Sequence, residues 1–203
     1  MKEILVKDIL KICNGKLICG NEEEICENFS RDSRQINIGD IYLGIKGERF
    51  NGSIFYKEAL EKGAKGCIVQ EIEISEEERE IYKDKFIIVV KNVVKALQQI
   101  AAYKRSLYNI PVIGITGSVG KTSTKDIIAS VMATKYNVLK TEGNYNNHIG
   151  VPLTLLSLDD TCEALVCEMG MNHKGEISYL TNLVPSDVAI ITNVCYSHIE
   201  NLG

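Results

Sequence analysis

The chain has no tryptophan, three prolines and three histidines in 203 residues. Its longest apolar runs, such as Phe86–Val90, are strand-sized. A bilayer span needs about 20 apolar residues, so no segment is read as inserting in a membrane. The start, Met1-Lys2-Glu3 with further charges at Lys7, Asp8 and Lys11, is not that of a signal peptide. There is no basic stripe: residues 1–110 balance 18 acids with 18 bases, and residues 111–203 carry 9 acids and 5 bases. Nucleic acid is therefore not an expected partner. Seven cysteines, at 13, 19, 26, 67, 162, 167 and 195, contain no CxxC pair. Their odd count and irregular spacing argue against a disulfide framework, a zinc ribbon or a redox motif, and fit free buried thiols in a cytoplasmic protein. Two glycosylation-type triplets, at Asn28 and Asn51, are read as chance without a secretory signal. No internal repeat or low-complexity tract occurs.

What remains is a chain that is 45% apolar and long enough for one large domain or two small ones. The first hundred residues alternate short apolar strands with helical stretches, the rhythm of an α/β domain. Helices are expected near Val6–Cys13 and Ile54–Lys62, and strands near Ile41–Ile45, Cys67–Gln70 and Phe86–Val90. The acidic run Glu71–Glu80 reads as a solvated loop or helix face. A longer helix is expected over Val93–Tyr108, and Pro111 then marks a boundary. Beyond it, strands at Val112–Thr116, near Val138, at Ala164–Cys167 and at Val188–Thr192 alternate with helices from Lys121 to about Ala133, from about Pro152 and after Gly175. That is a parallel sheet with helical crossovers. The domains are accordingly placed at 1–91 and 111–203, joined by a linker helix over 92–110. After Thr192 a loop, Asn193–Gly203, has no closing helix or further strand, so the chain is expected to be a fragment of a longer protein.

The strongest chemical signal is the segment from Gly114 to Ser123, GITGSVGKTS. A strand runs through a glycine-rich turn into a helix, converging backbone N–H groups and the positive end of a helix dipole where a phosphate fits. Lys121 adds a point charge for the β/γ-phosphates, and the Thr122 hydroxyl is placed for Mg²⁺. Five residues separate Gly114 from Gly120 and two separate Gly117 from it, so the match is to the short Gly-x-x-Gly-Lys-Thr core. The expected phosphate-facing residues are Gly117, Ser118, Val119, Gly120, Lys121, Thr122 and Ser123, although Ser123 and Thr124 also read as simple first-turn polar residues. Glu168 ends an apolar strand parallel to the first, on the rim where open α/β sheets bind ligands, and is expected to coordinate Mg²⁺. His198 lies past the next strand end, where both a structural role and a metal or substrate role are open. In Gly143-Asn-Tyr-Asn-Asn147-His-Ile-Gly150, turn chemistry and amide contacts to a ligand are equally compatible with the spacing.

Taken in order, GITGSVGKTSTKD, EGNYNNHIGVPLTLL, EMGMNHKGEISYL and AIITNVCYSHIENLG resemble consecutive motifs of the Mur ligases. RDSRQINIGDIYLGIKGERFNGSIFYKEALEKGA is similar to that family's nucleotide-sugar-binding domain. The resemblance implies an amino-terminal α/β domain followed by an incomplete P-loop-type parallel-sheet ATPase domain. Within the family it favours the member that adds D-alanyl-D-alanine to UDP-N-acetylmuramoyl-tripeptide, with ATP and Mg²⁺, by way of an acyl phosphate. Carried over by motif, Lys121, Glu168 and His198 would be catalytic. Thr122 and Glu168 would hold the first Mg²⁺, His198 would serve a second metal, and Asn147 would lie near the phosphates. Ser33 and Arg34 would contact the UDP moiety, with Lys46 to Asn51 nearby. Three positions depart from the family pattern: Val119, His148 and Ser53 stand where a polar, an acidic and a His residue respectively are common. The family's carbamoylated lysine and its carboxy-terminal domain would lie beyond Gly203, so the fragment is expected to fold without ligase turnover. A folylpolyglutamate-type ligase and a non-catalytic nucleotide-binding module are the alternatives.

Overall fold

The computed structural model describes residues 2–47 and 50–195. They form two compact units, one spanning Glu3–Ile100 and the other holding Lys2 and the residues from Ala101 onward.

The first unit opens with helix α1 (Val6–Cys13), which buries Val6 and Ile9; the Asp8 carboxylate accepts from the Leu5 N–H at 2.9 Å to cap its start. Strands β1 (Lys16–Cys19), β2 (Phe29–Ser30) and β3 (Ile41–Leu43) follow. A 3₁₀ turn over Gly52–Phe55 leads into helix α2 (Tyr56–Glu61), then strand β4 (Gly66–Val69). The acidic run holds helix α3 (Glu76–Ile81), which buries no residue and is capped by Ser75 and Glu78. Strand β5 (Phe86–Val89) and helix α4 (Val93–Ser106) complete the order, and the division between the units falls inside α4.

The sheet order is β1-β5-β4-β3-β2. All neighbours are parallel except β1, which runs antiparallel to β5. Every residue of β3 and β4 is buried, as expected for parallel strands covered on both faces. Tyr42, Cys67, Val69 and Ile87 pack with Tyr56, Ala59 and Leu60 of α2. Strands β1 and β2, which the sequence pattern did not indicate, are a short antiparallel edge and a two-residue ladder. Gly66 is needed for packing: a Cβ there would lie 2.4 Å from the Phe86 ring. Gly66→Ala is therefore expected to destabilise this unit by about 1–3 kcal/mol in chemical denaturation. An unchanged midpoint would show that the Phe86 ring can move aside.

In the second unit, strand β6 (Val112–Thr116) leads to helix α5 (Lys121–Met132) and strand β7 (Val138–Lys140). Helix α6 (Gly150–Leu156), strand β8 (Ala164–Glu168), helix α7 (Glu176–Leu183) and strand β9 (Val188–Ile191) follow. The sheet is parallel throughout, in the order β7-β8-β6-β9. Ile113, Ile115, Val138, Val166 and Ile190 share the face packed by Ala129, Ile128 and Met132 of α5. On the other face, a Cβ at Gly114 would lie 2.5 Å from Ser186 Oγ, so Gly114 serves close packing within β6. The chain leaves β6 toward β7 on one side and later crosses to β9 on the other, which opens a crevice at the carboxyl end of β6. All seven cysteines are free. Among the described residues no helix is long and apolar enough to cross a membrane.

Candidate functional site

The loop from Gly117 to Gly120 joins β6 to α5 at this crevice. Gly117 and Gly120 hold φ angles of +136° and +84°, a region that glycine enters without strain. A Cβ at Gly120 would meet nothing within 4 Å, so the outer side of the turn is open. The Ser118 N–H donates to Asn193 O at 3.1 Å, and the Val119 N–H donates to Asn193 Oδ1 at 2.9 Å. An incoming anion is thus left with the donors from Gly120 to Ser123, at the start of α5, where helix geometry provides no intrahelical acceptor. The Lys121 ammonium folds back over the loop, donating to Gly117 O at 2.8 Å and Ser118 O at 3.4 Å. The exposed Val119 side chain makes no polar contact; its backbone is tied to the segment after β9.

Glu168, at the carboxyl end of β8, is only 2% exposed. It lies beside the loop: Thr122 donates its hydroxyl proton to Glu168 Oε2 at 3.0 Å. Asn146 Nδ2 donates to Glu168 Oε1 at 2.8 Å, and the Glu168 N–H donates to Thr141 Oγ1 at 3.0 Å. The Lys125 ammonium, also buried, is 3.9 Å from Glu168 Oε2 and 3.7 Å from Asp126 Oδ1. Asn146 reaches this site because Gly170 brings β8's exit against it; a Cβ on Gly170 would lie 2.9 Å from Asn146 Cγ. Asn147, its neighbour, instead caps α6, accepting from the amides of Ile149 and Gly150 at 3.0 and 2.9 Å. In this motif Asn147 therefore serves turn chemistry, and the amide that reaches Glu168 belongs to Asn146. Lys125 and Thr141 are site residues that sequence reading missed. His198 lies outside the described residues.

A threonine hydroxyl beside a carboxylate is a hard-oxygen pair of the kind that takes Mg²⁺ together with water and phosphate oxygens. Among the described residues no cluster of three or more His, Cys, Asp or Glu side chains could hold a metal without such help. The geometry fits a metal that arrives with a phosphorylated ligand.

In the first unit, the segments that leave the carboxyl ends of β2 and β3 carry the other singled-out residues. Arg34 grips Asp32, with Nε and Nη2 donating at 2.8 and 2.7 Å. The Arg34 guanidinium holds the Asp32 carboxyl down to about 2. Because that value is depressed, the pair contributes fully above the ordinary carboxylate value of 3.8 and is lost as pH falls toward 2. Arg34→Ala is expected to return the Asp32 midpoint toward 3.8, read by NMR titration; an unmoved midpoint would mean the pair does not form.

Ser33 is buried, donates to Glu58 Oε2 at 3.4 Å and offers its carbonyl to Lys62 at 3.1 Å. Lys46 pairs with Glu71 at 2.8 Å and bridges to Asn51 across an isolated antiparallel ladder. Asn51 Oδ1 caps the 3₁₀ turn by accepting from the Ser53 N–H at 3.0 Å. Ser53 is fully buried, donating to Gly44 O at 2.8 Å and accepting from the Gln70 N–H at 2.9 Å, an internal link between β3 and β4.

With both rims described, comparison with known proteins places the chain. The model of the Mur ligase middle domain matches residues 115–203, and that of the Mur ligase family catalytic domain matches residues 27–105. The UDP-N-acetylmuramoyl-tripeptide--D-alanyl-D-alanine ligase of Bacillus subtilis is 40% identical over 200 residues, covering 98% of this chain and 42% of the relative. A crystal structure of MurF from Acinetobacter baumannii superposes with a TM-score of 0.85 at 31% identity, covering 99% of this chain and 43% of that one. A MurF ligase from Thermotoga maritima in complex with ADP gives 0.74 at 35% identity, covering 85% and 39%. The chain thus spans about two fifths of the length of the relatives it matches. Two consecutive domain models and relatives aligned along nearly all 203 residues establish that the chain belongs to the Mur ligase family.

Proposed function

We propose that this chain supplies the nucleotide-sugar-binding and phosphate-binding parts of an ATP-dependent amide ligase of peptidoglycan precursor synthesis. The reaction joins D-alanyl-D-alanine to the terminal carboxylate of UDP-N-acetylmuramoyl-tripeptide. The observation that carries the reading is the 3.0 Å contact between Thr122 and the buried Glu168, one residue past Lys121 at an open helix start. The relatives' names and the ADP-bound relative support it.

In this reading the amides from Gly120 to Ser123 hold the β/γ-phosphates. Lys121 exchanges its loop carbonyls for phosphate oxygens and follows the charge that develops as the carboxylate attacks the γ-phosphorus. Thr122 and Glu168 would hold Mg²⁺, which neutralises charge on the transferring group. Asn146 and Thr141 keep the Glu168 carboxylate aimed at that position. ADP leaves as the acyl phosphate forms, and the amine of D-alanyl-D-alanine then attacks the acyl carbon, losing a proton and expelling phosphate. In this reading Ser33, Arg34, Lys46 and Asn51 of the first unit meet the UDP end of the substrate, since they follow the carboxyl ends of parallel strands.

Separate calorimetric titrations of UDP-N-acetylmuramoyl-tripeptide and Mg·ATP into the chain test this. Binding of both supports it, whereas Mg·ATP binding alone would favour a generic nucleotide-binding module and uridine-nucleotide binding alone would contradict the phosphate-site part of the reading. Because the chain spans 42% of the Bacillus subtilis relative, it is expected to show no ligase turnover by itself. Phosphate release that depends on both tripeptide substrate and dipeptide, from these 203 residues alone, would contradict that.

A further inference from the structure

The phosphate loop is tied down from behind by the segment that follows β9. Ser118 and Val119 each give their amide proton to Asn193, one to its carbonyl and one to its side-chain oxygen. Thr192 Oγ1 donates to Val119 O at 2.7 Å, and the Thr192 N–H donates to Thr116 O at 2.9 Å. Ser118 Oγ donates to Cys195 O at 2.9 Å and accepts from the Cys195 N–H at 3.0 Å. The contact is close enough that a Cβ on Gly117 would stand 2.1 Å from Thr192 Oγ1.

A glycine-containing turn without such ties samples many conformers and must be ordered when its ligand arrives. Here the order exists beforehand, so binding energy is not spent on shaping the loop. We propose that Thr192 and Asn193 are positioning residues of the phosphate loop, fixing its first half so that the donors from Gly120 to Ser123 present to phosphate. The inference rests on the reading of this loop as a nucleotide site and adds to it two residues that need not touch the ligand.

The test pairs two measurements on the 203-residue chain, amide hydrogen exchange without ligand and calorimetric titration of Mg·ADP. The Ser118 and Val119 amides are expected to be protected in the wild type; in Asn193→Ala, Val119 is expected to lose its protection while Ser118, bonded to the backbone carbonyl of residue 193, keeps more of it. Losing one or two such hydrogen bonds corresponds to Mg·ADP binding weaker by about five- to tenfold in Thr192→Val and Asn193→Ala. Thr192→Ser, which keeps the hydroxyl, is expected to bind like the wild type and controls for folding. Unprotected amides in the wild type, or variants that lose global stability while binding Mg·ADP unchanged, would overturn the positioning role alone. A wild-type chain with protected amides that takes up no Mg·ADP would overturn the nucleotide reading, and this role with it.

Discussion

Lys121→Ala is expected to abolish turnover of a ligase of the relatives' length carrying this sequence, by about 10³-fold or more, while leaving the fold intact. Removing one preorganised charge-stabilising group from a phosphoryl-transfer site costs on that scale. The fold is spared because the half-buried ammonium, among the described residues, hydrogen-bonds to the carbonyls of Gly117 and Ser118, and its stem fills no core position. Loss of those two hydrogen bonds should lower stability by no more than about 1 kcal/mol. Steady-state phosphate release together with chemical denaturation measures both. Retained turnover would remove Lys121 from the mechanism, and a large loss of stability would mean that its role is structural.

Glu168→Ala is expected to be as damaging to turnover but to behave differently in the fold. It removes the carboxylate that faces Thr122, and among the described residues it also leaves the buried Lys125 ammonium with Asp126 as its remaining carboxylate within 4 Å. Breaking one side of a buried ion pair costs about 3–5 kcal/mol when no other partner compensates; Asp126, with its side chain 49% exposed, offsets part of that here. A loss of roughly 2–3 kcal/mol in urea unfolding is therefore the expected result. Adding Lys125→Met should restore most of the stability and none of the activity, because it removes the stranded charge without returning a metal ligand. Additive losses in the double variant would show that the 3.9 Å separation carries no coupling.

The contrast between these two residues reflects what the amino-acid pattern could and could not reveal. The β6–turn–α5 unit was legible because strand, glycines, lysine and threonine are contiguous, and Glu168 was legible as the end of an apolar strand. Lys125 was not, since its partner lies 43 residues away in sequence and the segment KTSTKD reads as an ordinary polar helix start. The neighbours Asn146 and Asn147 carry the same side chain. Which of them caps α6 and which reaches Glu168 depends on how the chain enters the helix and on the close approach of Gly170. Ser53 departs from the family pattern, and its buried hydroxyl links Gly44 to Gln70, a contact that the parallel pairing of β3 with β4 creates. Strands β1 and β2 are not legible for a simpler reason: four part-buried or exposed residues and two residues leave too little periodicity to read.

The most direct measurement is a backbone amide NMR titration of the 203-residue chain with Mg·ATP. The account expects the largest shifts at Gly120, Lys121, Thr122 and Ser123, accompanied by the side-chain amide of Asn146, with all of them lost in Lys121→Ala. Saturating Mg·ATP that leaves these resonances in place, or that shifts only residues of the first unit, would contradict it.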